Sequence, residues 1–247
     1  MFSKTDTIES KKIGSIIISI EENYVTIKTE RLSLSSLNQY DTLEITNHYK
    51  LLLGKVNNVQ MFRDGNPWNE ESVKKFITTQ TNKWNEGDRF GVFSVNDLNS
   101  NTFIGSLNIY YPSPGYDKIG RGHENVAEIG YIIDHTSWGK GYGTEMAIIG
   151  KKYIQYLVSQ SKENQGSRLP DEIVATVHPN NFASVKILQN TLKKKEDSLL
   201  SKFDSQPRIL FFKPLKKEQV KNQKGEIQSV SLLNTASGYP TLSRKIS

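Results

Sequence analysis

The chain has 247 residues, of which 36% are hydrophobic and 23% are charged, a composition typical of a folded globular protein. It contains no cysteine, which excludes disulfides, thiolate metal sites and a cysteine nucleophile, and its four histidines lack metal-ligand spacing, so we expect no metal. The net charge of +6 comes from the end of the chain, because residues 193–247 hold 12 Lys and Arg against 5 Asp and Glu. Since no apolar run reaches membrane-spanning length and no signal peptide is evident, we expect a cytoplasmic protein without a membrane partner, with the nucleus left open.

The N-terminal half of the chain predicts strands followed by two helices. Residues 1–12 are polar and predict a loose segment. Asn69 is a suitable N-cap for the second helix, because two glutamates follow it in the first turn, where the helix dipole favours them. The predicted elements of this half are strands over 13–20 and 24–37 and helices over 39–53 and 69–84.

In the second half, β-branched runs alternate with amphipathic segments. The predicted strands cover 90–95, 102–111, 126–133, 173–177 and 208–212, and the predicted helices cover 144–158 and 181–192. This order predicts an α/β domain with a mixed sheet. We divide the chain into an N-terminal extension over residues 1–20, with room for one added strand, a main domain over 21–215 and a basic, polar C-terminal extension over 216–247.

The most informative segment is a glycine-rich turn between a predicted strand and a predicted helix. Gly139, Gly141 and Gly143 alternate there, and glycines let a ligand approach the main chain at a helix N-terminus, where N–H groups favour a phosphate. The turn is not a Rossmann fingerprint, because Thr144 stands in place of the third glycine, nor a Walker loop, because glycine follows Lys140. A purely architectural turn is the alternative, although such a turn does not need three alternating glycines.

The sequence from Trp138 to Gly143 resembles the coenzyme A pyrophosphate loop of the GNAT acyltransferase superfamily. The tryptophan, in place of the usual Gln or Arg, is similar to the RimJ/RimL branch of ribosomal-protein N-terminal acetyltransferases. Segments that resemble other parts of this branch lie at residues 29–34, 127–131 and 177–184, and the resemblance covers roughly residues 25–215.

Two features depart from the family pattern. The helix that begins near residue 181 usually ends in Gly-Phe, but those positions here are Leu192 and Lys193. Residues 216–247 have no counterpart in a minimal member of the family. The first departure puts the acceptor side of the site in question.

The resemblance implies a GNAT-like α/β fold, with a mixed, mostly antiparallel central sheet, helices on both faces and a V where the family's fourth and fifth strands splay apart. Those strands correspond here to residues 126–133 and 173–177. It also implies acetyl-CoA as co-substrate, its pantetheine arm beside the fourth strand and its pyrophosphate on N–H groups of the glycine turn. The residues implied to bind it are Ile132, Ile133, Asp134, Trp138, Gly139, Lys140, Gly141, Tyr142, Gly143, Thr144, Asn181 and Ser184.

Amine acylation needs a base, a stabilised oxyanion and a proton for the departing thiolate. Glu128 is the candidate base, its alternative being a solvated strand residue, and N–H groups of a bulged fourth strand are expected to hold the oxyanion. Ser184 is the candidate to protonate the thiolate, its alternative being an ordinary helix-surface serine. The candidate acceptor contacts are Arg63, Asp64, Trp68 and Tyr131, of which the last two are also candidates for the core.

The function predicted from the resemblance is a CoA-dependent N-acetyltransferase whose acceptor is a primary amine, either a small molecule or a protein N-terminus such as that of a ribosomal protein. One alternative is a GNAT-like module that binds CoA without turnover. A second alternative is an RNA- or ribosome-associated protein that uses the basic C-terminal extension, but we do not expect nucleic acid as the main partner, because the extension lacks interleaved aromatics. The sequence leaves open the acceptor and the choice between monomer and homodimer.

Overall fold

The computed structural model describes residues 3–113, 125–160, 169–196, 200–203 and 206–215. The predicted C-terminal extension, residues 216–247, lies outside the described residues. None of the described helices combines the length and the apolar character that crossing a membrane requires.

The described chain forms eleven strands and five α-helices. The strands are β1 (Ser3–Ser10), β2 (Gly14–Glu21), β3 (Tyr24–Lys28), β4 (Leu32–Ser36), β5 (Val92–Asp97), β6 (Thr102–Tyr110), β7 (Val126–Ile133), β8 (Glu172–Val177), β9 (Lys194–Lys195), β10 (Leu200–Phe203) and β11 (Gln206–Pro214). The helices are α1 (Thr42–Leu53), α2 (Val56–Val59), α3 (Glu70–Asn85), α4 (Tyr142–Gln160) and α5 (Phe182–Thr191). Asn69 caps α3, as predicted, since its side chain accepts a hydrogen bond from the N–H of Ser72 at 2.8 Å.

All the described strands belong to one sheet. Its order is β1-β2-β3-β4-β5-β6-β7-β8-β11-β10, and the short β9 also pairs with β11. Neighbouring strands are antiparallel except β7 and β8, which are parallel. The predicted mixed, mostly antiparallel sheet is therefore confirmed.

The sheet opens into a V between β7 and β8. These two strands pair only at Val126–Glu172, Ala127–Ile173 and Glu128–Val174, although both continue past the last pair. On its other side β7 pairs with β6 in an unbroken register from Tyr110–Glu128 to Gly105–Ile133. The predicted bulge in the family's fourth strand is therefore wrong for β7.

Residues 3–10 form a strand, contrary to the prediction that the segment over residues 1–12 is loose. Its side chains alternate between exposed and half-buried along β1, and β1 pairs with β2 over its full length. In β2 the buried side chains are Ile16, Ile18 and Ile20. The N-terminal extension thus contributes two strands, although one added strand was predicted. Exposed and half-buried side chains alternate along β1 as in any strand, even though most of them are polar.

Successive residues of β7 point to opposite faces of the sheet, and different helices cover the two faces. Helix α1 covers the face of the even-numbered residues, where the Tyr49 hydroxyl donates to Ser106 Oγ at 2.7 Å and Asn108 lies opposite Gly130. Helix α4 covers the other face, where Gly150 packs tightly on Ile129. Glu128 and Tyr131, three residues apart, therefore face different helices.

Candidate active site

One continuous cavity of about 1050 Å³ runs through the V. It is lined on one face by the glycine turn and α5, and on the other by α1, α3 and the segment between α2 and α3. The predicted site residues that line it are Arg63, Trp68, Glu128, Tyr131, Ile132, Ile133, Trp138, Gly139, Gly141, Tyr142, Gly143, Thr144, Asn181 and Ser184. Asp64, Asp134 and Lys140 are not among its lining residues.

The glycine turn presents main chain to the cavity. Gly139 has φ +77° and Gly141 has φ +83°, a left-handed conformation that favours glycine. A Cβ atom at Gly139 would have no heavy atom within 4 Å, so the turn is open on this side. Because the first N–H groups of a helix lack helical partners, those of Gly141 and Gly143 suit an anion. The N–H of Thr144 instead donates to Gly141 O at 3.1 Å.

An ion pair between a buried carboxylate and a partly exposed guanidinium holds the turn against the start of β4. Glu145, in the first turn of α4, is 3% exposed and accepts hydrogen bonds from Thr29 Oγ1 at 2.5 Å and from Arg31 Nε at 2.9 Å. The same guanidinium donates to Lys140 O at 2.9 Å, in the middle of the turn. Residues 29–34 resemble a segment of the family, but nothing in the sequence pointed to this role of Arg31.

Two aromatic residues fix the ends of the turn. The hydroxyl of Tyr142 donates to Asp97 at the end of β5, and this bond raises the pKa of the tyrosine. Trp138 is 51% exposed, and its indole N–H donates to Ile133 O at 2.9 Å, the carbonyl at the end of β7. Both residues line the cavity, so each one anchors the turn as well as contacting the space beside it.

Asp134 forms hydrogen bonds with α2 and with the start of the glycine turn, and it is not among the lining residues of the cavity. Its carboxylate accepts hydrogen bonds from Lys55 Nζ at 2.7 Å, Thr136 Oγ1 at 2.7 Å and Asn58 Nδ2 at 3.3 Å. Although burial acts in the opposite direction, these hydrogen bonds lower the pKa of Asp134. The side chain therefore ties α2 to the end of β7, and its predicted contact with pantetheine stays a prediction.

On the α4 side of the V, two hydroxyl groups lie close together. Burial raises the pKa of Tyr131 to about 12, and the nearby Ser184 side chain acts in the other direction. The two groups are close but do not form a hydrogen bond of ordinary geometry. Asn181 caps α5 through a hydrogen bond from Ser184 N to its Oδ1 at 3.1 Å, which fixes the position of the serine at the cavity wall.

On the α1 side, Glu128 is buried at the point where β7 and β8 part. Its carboxylate accepts a hydrogen bond from Ser113 Oγ at 2.7 Å. Arg208 is 3% exposed, and its burial lowers the pKa of the guanidinium. The carboxylates of Glu128 and Asp64 lie near enough to oppose this shift. The same guanidinium donates to the main-chain oxygens of Met61 and Arg63. The prediction of Glu128 did not foresee this cationic neighbour from β11.

On the α1 side of the cavity the lining residues include four aromatic side chains and one amide, namely Tyr49, Trp68, Phe76, Tyr110 and Asn108. The guanidinium of Arg63 stacks on the Trp68 ring with its carbon 4.9 Å from the ring centroid. The Trp68 and Phe76 rings meet edge to face at 5.3 Å. Arg63 and Trp68 were predicted from the sequence, whereas the aromatic residues that α1, α3 and β6 add were not.

The family of the chain follows from a comparison with family models. The model of the acetyltransferase (GNAT) domain matches residues 31–191, about two thirds of the chain. The chain belongs to the GNAT acetyltransferase family. The match confirms the predicted superfamily and begins after β3, so the first three strands lie outside it. No curated protein matches the chain.

Solved structures of GNAT acetyltransferases share the fold of the chain. The ribosomal-protein acetyltransferase RimL in complex with coenzyme A is 16% identical, with 76% of this chain and 96% of that chain covered and a TM-score of 0.50. An acetyltransferase from Agrobacterium tumefaciens is 15% identical, with 76% and 92% covered and a TM-score of 0.52. A GNAT-family acetyltransferase from Bacillus anthracis is 16% identical, with 76% and 95% covered and a TM-score of 0.50. At identities of 15–16%, these likenesses show the shared fold, and the RimJ/RimL-like branch stays a prediction.

Proposed function

We propose that this GNAT protein is an N-acetyltransferase that moves the acetyl group of acetyl-CoA to a primary amine by direct attack. The observation that carries the proposal is the placement of a carboxylate and a hydroxyl pair on opposite faces of one V. Glu128 is on the α1 face of β7, Tyr131 is on the α4 face, and Ser184 belongs to α5, yet all three line the same cavity. A base and an acid for one acyl transfer need such a shared space with separate approaches.

The α4 face has the chemistry to hold coenzyme A. The open glycine turn offers N–H groups of Gly139, Gly141 and Gly143 for the pyrophosphate, and the Arg31–Glu145 pair keeps this turn in place. The edge of β7 past Glu128 has no pairing with β8, so its main chain is available to the amides of pantetheine. When bound, acetyl-CoA would supply the acetyl group through its thioester, and coenzyme A would leave as the free thiol once the new amide bond has formed.

Glu128 is the group that we assign to take a proton from the incoming ammonium, directly or through water. An amine must be neutral to attack, and α-amines and lysine-like amines titrate near 8 and 10.4. The hydrogen bond from Ser113 and the nearby guanidinium of Arg208 hold the carboxylate in place. Ser184, with the buried hydroxyl of Tyr131 nearby, is the group that we assign to return a proton to the leaving thiolate on the other side of the V.

Two measurements test the proposal. Calorimetric titration of the full chain with acetyl-CoA, with desulfo-CoA as a control, is expected to give micromolar binding. Thiol release in the presence of primary amines is then measured with a thiol reagent, and the chain itself contributes no background because it has no cysteine. Binding without thiol release from any amine would favour a CoA-binding module without turnover. Absence of binding at millimolar acetyl-CoA would refute the proposal.

A further inference from the structure

Resting on the proposed function, we infer that the acceptor amine carries a hydrogen-bonding group, such as a hydroxyl, on the apolar body behind its nitrogen, and that the carboxamide of Gln80 binds this group. Gln80 is then the residue that selects the acceptor, while Glu128 takes its proton. Two kinds of molecule have this chemistry, namely a small amine with a hydroxyl and a polypeptide whose N-terminal residue has a hydroxyl in its side chain.

Gln80 places an unpaired polar group in the wall of the cavity. It belongs to the face of α3 that also buries Val73, Ile77 and Trp84, and it is 7% exposed. Gln80 lines the cavity, and its Oε1 is buried without a hydrogen-bond partner among the described residues. Buried side-chain polar atoms in folded proteins nearly always have a partner, so we expect the partner of this one to come from a molecule in the cavity.

Three other polar side chains of this wall pair with one another. The Tyr49 hydroxyl donates to Ser106 Oγ at 2.7 Å, and Ser106 Oγ donates to Asn108 Oδ1 at 2.6 Å. All three residues line the cavity, but neither of these two bonds involves Gln80. The carboxamide of Gln80 therefore stays available to an acceptor.

Aromatic rings accompany Gln80 in the wall. Phe76 precedes Gln80 by about one turn of α3, so the two side chains share one side of the helix. The Phe76 ring meets the Trp68 ring edge to face at 5.3 Å and stands 5.9 Å from the Tyr49 ring, centroid to centroid. A ligand that reaches the carboxamide therefore contacts rings with the rest of its body, which favours an apolar body that carries one hydrogen-bonding group.

A hydroxyl suits both the carboxamide and the shape of the site. Because Glu128 and Gln80 line one cavity, a single acceptor can present its nitrogen to the first and its hydroxyl to the second. A hydroxyl both donates and accepts, so it can pair with either end of the amide. In an apolar pocket without such a partner, a methyl group is preferred to a hydroxyl, since the hydroxyl gives up its bonds with water. Preference for the hydroxyl is therefore the sign of the hydrogen bond.

The test measures kcat/KM of the full chain with acetyl-CoA for pairs of acceptors that differ in one hydroxyl. The pairs are tyramine with p-methylphenethylamine, aminopentanol with hexylamine, and the tripeptide Tyr-Gly-Gly with Phe-Gly-Gly. We expect the hydroxyl member to be better by at least about tenfold in one pair or more, because the other member leaves the amide unpaired. A larger preference in the amines than in the peptides points to a free amine, and the reverse points to an N-terminus. Absence of a hydroxyl preference in all three pairs would overturn the inference and leave the proposed function intact. Absence of turnover with every acceptor, despite acetyl-CoA binding, would overturn both.

Gln80→Leu tells a hydrogen bond to Gln80 from other causes of the same preference. The variant keeps a side chain of similar size and removes the amide, so the hydroxyl preference of the best pair should fall by about tenfold. Its melting temperature should equal or exceed that of the wild type, because the change removes a buried polar atom that has no partner within the protein. Its affinity for acetyl-CoA, measured by calorimetric titration, should stay unchanged.

Ser94→Ala is the matched control. Ser94 is 0% exposed, and its Oγ also lacks a hydrogen-bond partner in the part of the chain that the structure describes, but Ser94 is not among the lining residues of the cavity. This variant should keep the hydroxyl preference of the wild type. A folded Gln80→Leu variant that keeps the preference as well would overturn the assignment of Gln80. A Gln80→Leu variant that melts well below Ser94→Ala and keeps the preference would show that the carboxamide serves the fold instead.

Discussion

Replacing Gly141 by alanine tests the glycine turn as a ligand site. The φ angle of +83° is in the left-handed region, where an L-residue costs about 1–2 kcal/mol. A Cβ atom at this position would meet only Arg31 Nη2 at 3.6 Å, an ordinary contact, so backbone strain is the main cost. For a domain of this size we expect the melting temperature to fall by about 2–4 °C for each kcal/mol.

Gly14→Ala is the matched control. Gly14 has φ +69° at the start of β2, far along the sheet from the turn, and a Cβ atom there would have nothing within 4 Å. The same strain of about 1–2 kcal/mol is therefore expected in both variants, with similar losses of melting temperature.

The two variants should differ in their affinity for acetyl-CoA. To the extent that the turn relaxes in the free protein, the melting temperature of Gly141→Ala falls less and binding must restore the shape of the turn; the full value of about 1–2 kcal/mol corresponds to roughly 5- to 30-fold weaker binding. Gly14→Ala should bind like the wild type. Calorimetric titration of both variants, together with their thermal melts, gives the two numbers. A Gly141→Ala variant that melts like the wild type, so that its turn has relaxed, and still binds with unchanged affinity would refute our assignment of the turn.

Four further changes test other parts of the site and fold. Glu128→Gln should lower kcat/KM by about 10²- to 10⁴-fold in the thiol-release assay and keep acetyl-CoA affinity, since it removes a general base; near-normal turnover would show that another group takes the proton. Ser184→Ala should lower kcat by about 10²-fold, and a loss of acetyl-CoA affinity instead would make it a binding residue. Asp134→Asn should cost about 1 kcal/mol at pH 7 by removing the partner of Lys55, a small value because the lysine is 40% exposed. Because the folded-state pKa of Asp134 is lowered, this stability is present above pH 4 and lost as the pH falls further, so denaturant unfolding of the variant should vary less between pH 5 and pH 3; equal slopes would contradict the assignment. Lys193→Gly should stabilise the chain by about 1 kcal/mol in the same unfolding assay, because Lys193 has φ +77°, and a loss of stability would mean that its side chain is needed.

Local patterns in the sequence predicted most of the sheet and helices. Strand β7 and the N-cap Asn69 of α3 were predicted at the observed positions, because strand alternation and helix capping depend on neighbouring residues only. Strand β1 was missed, since its polar residues carry no apolar alternation, and its pairing with β2 supplies the reason for its order.

Contacts between distant parts of the chain could not be predicted in this way. Arg31 and Glu145 are 114 residues apart, and neither residue carries a local pattern that points to the other. The same holds for Arg208, whose position beside Glu128 depends on the pairing of β11 with β8. The departure at Leu192 and Lys193 has a local explanation, because Lys193 takes up the left-handed conformation that glycine usually supplies at a helix end.

The division of the site into two sides follows from one property of β7. Odd spacing along a strand puts two side chains on opposite faces, so Glu128 and Tyr131 must separate once β7 is a strand. The faces would stay apart if β8 paired along the whole length of β7. Pairing stops at Glu128 and Val174, and the cavity passes between the strands from that point onward. An amine approaching along the α1 face and a thioester held on the α4 face can then meet at the tip of the V, next to the carboxylate that we assign as the base.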